Sequence, residues 1–147
     1  MSVLSSLGYG PFFSSQLAEG ELGSLDPGRV VSAQGARARV RFEDAEALAA
    51  VPGRLRAAGA PPVVGDFVLA SRAGGEPVIE RVLERRTRLS RGAAGRATAE
   101  QVLAANVDVV LVVQGLDGDF NARRLERTLA AVHAGGAEPV ILLAKAD

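Results

Sequence analysis

The sequence predicts a mixed fold, in which a small five-stranded β-barrel of the OB type is followed by the first βαβ part of an α/β domain. Two features of the 147 residues carry this prediction. Between residues 28 and 89, short segments with strand character recur between turns rich in glycine and proline. Beyond residue 99, a mostly continuous apolar run, a helical pattern and a second apolar run follow in that order.

Composition favours a folded protein over a disordered tail. Hydrophobic residues make up 48% of the chain, charged residues 23%, and the formal net charge is zero. The longest nearly uninterrupted apolar run, 107–113, is far shorter than the roughly 20 residues of a membrane span. The absence of cysteine agrees with a reducing compartment and excludes a thiolate metal site. We therefore expect a cytoplasmic protein with no membrane partner.

Residues 1–27 form a predicted amino-terminal arm. Glycine and serine alternate here with apolar residues, and Pro11 suits the first position of a short helix. Ordered termini are usually packed on the domain that follows, so we expect the apolar side chains of the arm to contact the barrel.

The barrel is assigned to residues 28–89. The segment Arg37–Phe42 alternates strictly, so its apolar residues should face the core and its three arginines the solvent. Five short strands in about 60 residues indicate a small barrel, for which an OB-fold and an SH3-like barrel both remain open. The predicted strands are 28–32, 37–42, 47–51, 66–72 and 78–84.

A linker is predicted at residues 90–98, because this stretch of arginine and small residues has neither strand nor helix periodicity. The second domain then covers 99–147. Thr98 and Gln101 have the spacing of a capping box, which predicts a short helix running toward Ala105.

The clearest signal of the second domain is a βαβ unit. The β-branched run Val107–Val113 is typical of a buried parallel strand. Asn121 can cap a helix that ends at Gly135 and Gly136, and Pro139–Leu143 forms the next strand. A right-handed crossover makes the two strands parallel. Since so few elements cannot cover both faces of a parallel sheet, we expect the domain to be incomplete in this chain.

We expect a ligand-binding site immediately after the second strand, because ligands of open α/β sheets bind at the carboxyl ends of the strands. The residues Ala144, Lys145, Ala146 and Asp147 lie there. A carboxylate at the position of Asp147 can accept two hydrogen bonds from N1 and the exocyclic N2 of guanine, and adenine offers no such pair of donors. A Lys-x-Asp tripeptide by itself is more often a pair of surface charges.

Taken together, several spaced segments resemble the ribosome small-subunit-dependent GTPase A family. The resemblance covers roughly residues 28–147. It is carried by Gly28-Arg-Val-Val, Val64-Gly-Asp-Phe-Val, Arg91-Gly-Ala-Ala-Gly-Arg, Glu100 to Asp108, Val113 to Arg127, and Gly136 to Asp147.

The resemblance implies a three-part protein: an OB-fold, a circularly permuted GTPase domain of the P-loop type, and a carboxyl-terminal zinc domain. Members of the family bind the small ribosomal subunit late in its maturation, and the subunit stimulates hydrolysis of GTP, which is bound with Mg. By motif position, Lys145 and Asp147 belong to the guanine-recognition loop. Ala144 stands where asparagine or threonine is usual. Either the affinity for nucleotide is lower than usual, or backbone contacts at that position are sufficient without the side chain.

The 147 residues contain no G-x-x-x-x-G-K-[ST] loop, which would cradle phosphates and supply a hydroxyl for magnesium. We therefore expect this fragment to be inactive and to hold neither nucleotide nor metal by itself. Zinc is expected only in the missing carboxyl-terminal domain of the family.

A basic strand face is the candidate RNA contact. Arg37, Arg39 and Arg41 recur at every second residue, about 6.6 Å apart, which is close to the spacing of backbone phosphates. With Arg29 and the arginines near the linker, they are suited to follow ribosomal RNA without reading its sequence. An ordinary solvated strand face remains the alternative.

The leading hypothesis is a GTPase that acts on the small ribosomal subunit, with rRNA and guanine nucleotide as partners. The first alternative is an independent OB-type RNA-binding module without nucleotide hydrolysis. The second is a nucleotide-binding α/β protein unrelated to ribosomes.

Overall fold

The structure is a computed structural model and describes residues 1–91 and 100–146. The chain divides into two compact units, Met1–Arg85 and Arg86–Asp147. The elements of the first unit are α1 Val3–Ser6, α2 Pro11–Ser14, β1 Asp26–Gln34, β2 Arg37–Arg41, β3 Glu46–Ala50, α3 Gly53–Ala57, β4 Phe67–Ser71 and β5 Val78–Val82. The elements of the second are β6 Arg88–Arg91, β7 Gln101–Ala105, β8 Val109–Gly115, α4 Ala122–Ala134 and β9 Glu138–Ala144.

Strands β1 to β5 form a closed barrel in the order β1-β2-β3-β5-β4, which confirms the predicted five-stranded barrel. Antiparallel pairing of β1 with β4 closes it. The pairing of β3 with β5 is parallel, at Ala50 and Val78, and gives the Greek-key order of an OB-fold. The predicted strands all occur, with ends that differ by a few residues.

The alternation in β2 is confirmed by the barrel core. Ala38, Val40 and Phe42 are at most 1% exposed and pack with apolar residues of the other strands. Gly28 on β1 lies directly against them, because a Cβ at this position would come within 2.4 Å of Val40 Cγ1. Glycine is therefore needed here for the close approach of β1 to β2.

The arm packs on the outside of the barrel, as predicted. Helix α2 begins at Pro11 and buries Phe13, whose ring lies 4.4 Å from that of Phe67 on β4. Tyr9 contacts Phe67 edge to face at 5.3 Å. Strand β4 is consequently buried on both faces, with Val68 in the barrel core and Phe67 beneath the arm. The arm thus shields an apolar outer face that water would otherwise contact.

The turn before β4 is held by a buried ion pair. Asp66 is fully buried, and its carboxylate accepts hydrogen bonds from Arg85 Nε and Nη2, both at 2.8 Å. The same carboxylate accepts from the amide of Val63 at 2.8 Å. Gly65 has a φ of +91°, a region that favours glycine, and its amide bonds Val30 O. The Val64–Val68 motif thus has a structural role in the barrel.

The helix predicted to start near Thr98 and run toward Ala105 is wrong where it can be checked. Residues Gln101–Ala105 form β7, which pairs antiparallel with β6. A capping-box spacing is a local signal, and cross-strand pairing overrides it here. Thr98 lies outside the described residues, as does most of the predicted linker, and β6 occupies positions 88–91 at its edge.

The βαβ unit is confirmed. Strands β8 and β9 are parallel, in a register that runs from Val109 opposite Glu138 to Gly115 opposite Ala144. Between them, Asn121 caps α4 by accepting a hydrogen bond from the amide of Arg124 at 2.9 Å. One face of this two-stranded sheet leaves large apolar side chains exposed; Leu111 and Val113 are 60% and 64% exposed. Strands of this composition are usually covered on both faces.

Candidate nucleotide site and basic strand face

The predicted guanine loop begins where β8 and β9 end side by side. Gly115 and Ala144 are the last residues of the parallel ladder, and Leu116 N then donates to Ala144 O at 2.9 Å. Lys145 leaves the strand direction with a φ of +55°. Asp147, the expected guanine acceptor, lies outside the described residues. The backbone therefore brings the loop after β8 next to Ala144 and Lys145.

An acid that the sequence interpretation missed meets Lys145 at this edge. Lys145 Nζ lies 2.6 Å from Asp117 Oδ2, across 28 positions of sequence. The hydrogen bond from Lys145, together with one from the amide of Asp119, lowers the pKa of Asp117 from its ordinary value. The signal that could have found Asp117 is its place just after the neighbouring strand, since the carboxyl ends of parallel strands share one edge.

A cleft of about 520 Å³ opens at the same edge, beside the first turns of α4. Its lining includes Gln114, Gly115, Asp117, Arg124, Thr128 and Lys145. Gln114 is 8% exposed, and its side-chain Oε1 has no hydrogen-bond partner among the described residues. Buried carbonyl oxygens are normally satisfied. The cleft therefore combines an ion pair with apolar walls and lies next to a buried, unpaired acceptor.

Metal ligands are not grouped in the described part of the chain, where no cluster of three or more His, Asp or Glu side chains occurs. Within the same residues, no helix is long and apolar enough to cross a membrane.

The predicted RNA-contacting arginines of β2 lie on the outside of the barrel. Arg37 Nη1 is 3.4 Å from Glu76, and Arg39 Nη1 is 3.6 Å from Glu46, with both arginine side chains more than half exposed. Arg41 is half-buried at the end of the strand. Exposed pairs at these distances contribute little to stability, so the guanidinium groups can exchange partners.

Arg29 differs from the other three candidates. It lies directly opposite Arg41 in the β1–β2 ladder. Its guanidinium donates to the carbonyl oxygen of Leu7 and lies 5.3 Å from the ring centre of Phe67. Arg29 therefore attaches the arm to the barrel.

Arginines between positions 81 and 88 also have partners within their own unit. The sequence suggested a basic segment, because six arginines from Arg81 to Arg96 accompany a single acid, Glu84. In the folded chain, four of these arginines form ion pairs with acids that are distant in sequence. The pairs are Arg81 with Glu21 at 2.7 Å, Arg85 with Asp66 at 2.8 Å, Arg86 with Asp108 at 2.7 Å, and Arg88 with Glu100 at 3.5 Å. Each of these four arginines is thus paired with an acid.

Fold and site together define a class: a chain in which an OB-type barrel is followed by the βαβ unit of an α/β domain, with Lys145 at the carboxyl ends of the parallel strands. The RsgA GTPase family model matches residues 82–147. A small ribosomal subunit biogenesis GTPase RsgA from Methanosarcina acetivorans is 45% identical over 122 residues, covering 82% of this chain and 33% of the relative. The corresponding protein from Opitutus terrae is 42% identical over 159 residues, covering 99% and 43%. The chain belongs to the RsgA GTPase family.

Solved structures support the same fold. YloQ, described as a circularly permuted GTPase, superposes with a TM-score of 0.57 at 21% identity and covers 86% of this chain. YjeQ from Thermotoga maritima superposes with a TM-score of 0.57 at 24% identity and covers 81%. The chain spans about a third to two fifths of the length of the curated relatives described above.

Proposed function

We propose that this chain is the amino-terminal part of a cytoplasmic GTP hydrolase that binds the small ribosomal subunit and assists its late maturation. Support comes from membership of the RsgA GTPase family, whose curated relatives are named as small ribosomal subunit biogenesis GTPases. In this proposal the barrel, at residues 28–89, contacts rRNA. Residues 99–147 begin the permuted GTPase domain. The P-loop, its Mg and the zinc domain lie in sequence beyond this chain.

The observation that carries the nucleotide part is the side-by-side ending of the parallel strands β8 and β9 at Ala144 and Lys145. Ligands of α/β sheets bind at such an edge. In the proposal, Asp147 accepts the paired donors of guanine and the Lys145 stem lies over the base. The hydrogen bond from Leu116 N to Ala144 O supports the interpretation that the backbone suffices where the family usually has asparagine or threonine.

Guanine recognition is tested by Asp147→Asn in the full-length gene product. An amide presents one acceptor and one donor, so it matches N1–H and the 2-oxo group of xanthine instead of guanine. We expect GDP affinity to fall about 10- to 100-fold and affinity for xanthosine diphosphate to rise. Glu126→Gln is the matched control, because it removes the same charge from an exposed position on α4 that does not line the cleft. Equal loss of both nucleotides would refute the assignment of Asp147.

The permuted arrangement is tested first by the coding sequence. It should continue past Asp147 into a P-loop and then a cluster of cysteine and histidine. A stop codon at that point would favour the independent RNA-binding module. Calorimetry on the 147 residues should detect no micromolar GDP binding, because no phosphate-binding loop is present in them.

The rRNA contact is tested by replacing Arg37, Arg39 and Arg41 with glutamine and measuring small-subunit affinity against salt. If each guanidinium neutralises one phosphate, the slope of log K against log salt should decrease in magnitude by about 2 to 3. Arg29→Gln should act differently, by loosening the arm. Arg56→Gln, which removes an exposed guanidinium from α3, is the control. An unchanged slope in the triple variant would reject the phosphate role.

A further inference from the structure

We infer that Asp117 is a positioning residue for guanine nucleotide, because it holds Lys145 in place and so orders the recognition loop before the nucleotide arrives. This inference rests on the proposed function. Asp117 lies outside the Lys-x-Asp tripeptide and on a different loop, so it is a second contributor to the same site.

The geometry links the two loops at two points. The hydrogen bond from Leu116 N to Ala144 O extends the ladder by one step beyond the strands. One residue further along each chain segment, Lys145 Nζ and Asp117 Oδ2 approach to 2.6 Å. A backbone bond fixes the spacing of the loops, and the charged pair fixes the direction of the lysine side chain.

Space for the Asp117 carboxylate is provided by Gly115. A Cβ at position 115 would lie 2.9 Å from Asp117 Oδ1 and 3.4 Å from its Cγ, so any larger residue would displace the carboxylate from its present place. The amide of Asp119 approaches the same Oδ1 at 3.4 Å. Gly115 and the amide of Asp119 thus help to position the Asp117 carboxylate independently of Lys145.

The Lys145–Asp117 pair gives a side-chain link between the loops in addition to the backbone hydrogen bond at Ala144. A methyl side chain at this position cannot form a polar link to a neighbouring loop, and Lys145 is the only lysine in the sequence. A free lysine side chain has many rotamers, and ordering it during binding opposes affinity. Pairing with Asp117 removes part of that freedom beforehand. Since Lys145 and Asp117 are 71% and 37% exposed, the effect should be modest and sensitive to salt.

The test measures the affinity of the full-length protein for N-methylanthraniloyl-GDP at low and high salt. Asp117→Ala should weaken binding about two- to five-fold at low salt, with a smaller difference at high salt. Gly115→Ala should produce a similar loss although every charge remains. Asp117→Glu should restore part of the affinity, and Glu126→Gln, which removes an exposed negative charge from α4, should leave it unchanged.

A double-mutant cycle separates positioning from a general structural effect. In a Lys145→Ala background, Asp117→Ala should have no further effect, because the two side chains act as one unit. Wild-type affinity in Asp117→Ala, or an equal loss in both backgrounds, would overturn the inference while leaving the proposed function intact. Failure of the wild-type protein to bind the nucleotide would instead overturn the proposed function, and the inference with it.

Discussion

Replacing Asp66 with alanine should be among the most damaging single changes in the barrel. The carboxylate is fully buried and accepts three hydrogen bonds of 2.8 Å, two from Arg85 and one from the amide of Val63. Its removal leaves a guanidinium that is 19% exposed without a counter-charge and a part-buried amide without its acceptor. Breaking a buried pair in this way costs about 3 to 5 kcal/mol of the free energy of unfolding. Small domains have about 5 to 15 kcal/mol in total.

An exposed pair in the same unit provides the matched control. Arg54 and Glu80 approach to 2.6 Å, yet their side chains are 54% and 39% exposed. Glu80→Ala should therefore cost about 0.2 to 1 kcal/mol. The exposed Arg54–Glu80 pair is the shorter of the two, at 2.6 Å against 2.8 Å for Arg85–Asp66. A larger loss of stability in Asp66→Ala would therefore reflect burial and not distance.

The assay is urea unfolding followed by the near-ultraviolet circular dichroism of Tyr9, the single tyrosine in a sequence without tryptophan. Tyr9 lies in the same unit as both pairs and therefore reports on the barrel. Equal midpoints for Asp66→Ala and Glu80→Ala would refute the reasoning. As a second check, Asp66→Leu combined with Arg85→Met should recover much of the loss, because apolar residues can replace a buried ion pair.

Three further predictions concern the arm and the barrel core. Phe13→Ala removes a ring that is 2% exposed and should cost about 3 to 5 kcal/mol, with loss of the Tyr9 dichroism in native buffer. Gly28→Ala forces a methyl group against Val40 and should cost about 1 to 3 kcal/mol in urea unfolding. Hydrogen bonds from the amides of Leu4 and Val3 lower the pKa of Glu43, so its contribution to arm docking is present above the unfolded pKa and is lost as pH falls through the lower, folded value. Titration from pH 7 to 3 should show Tyr9 dichroism that is steady at first and decreases only once the pH falls below the ordinary pKa of a glutamate, with Glu43→Gln flattening the change.

Periodic elements were predictable from sequence because their signals are local. Strict alternation in Arg37–Phe42 settled which side chains enter the core, and the cap at Asn121 located the start of α4. The capping-box spacing at Gln101 was misleading, because pairing with β6 decides that segment and pairing is not visible in a local pattern.

Sequence alone determined the five barrel strands, the β8–α4–β9 order and the place of Lys145 after a parallel strand, since these follow from periodicity and chain connectivity. Tertiary structure decided which charges meet. Arg29 attaches the arm, Arg85 neutralises a buried acid, and Lys145 is paired with Asp117, each across 19 or more positions. Such contacts depend on how strands are placed side by side, and a linear pattern does not contain that information.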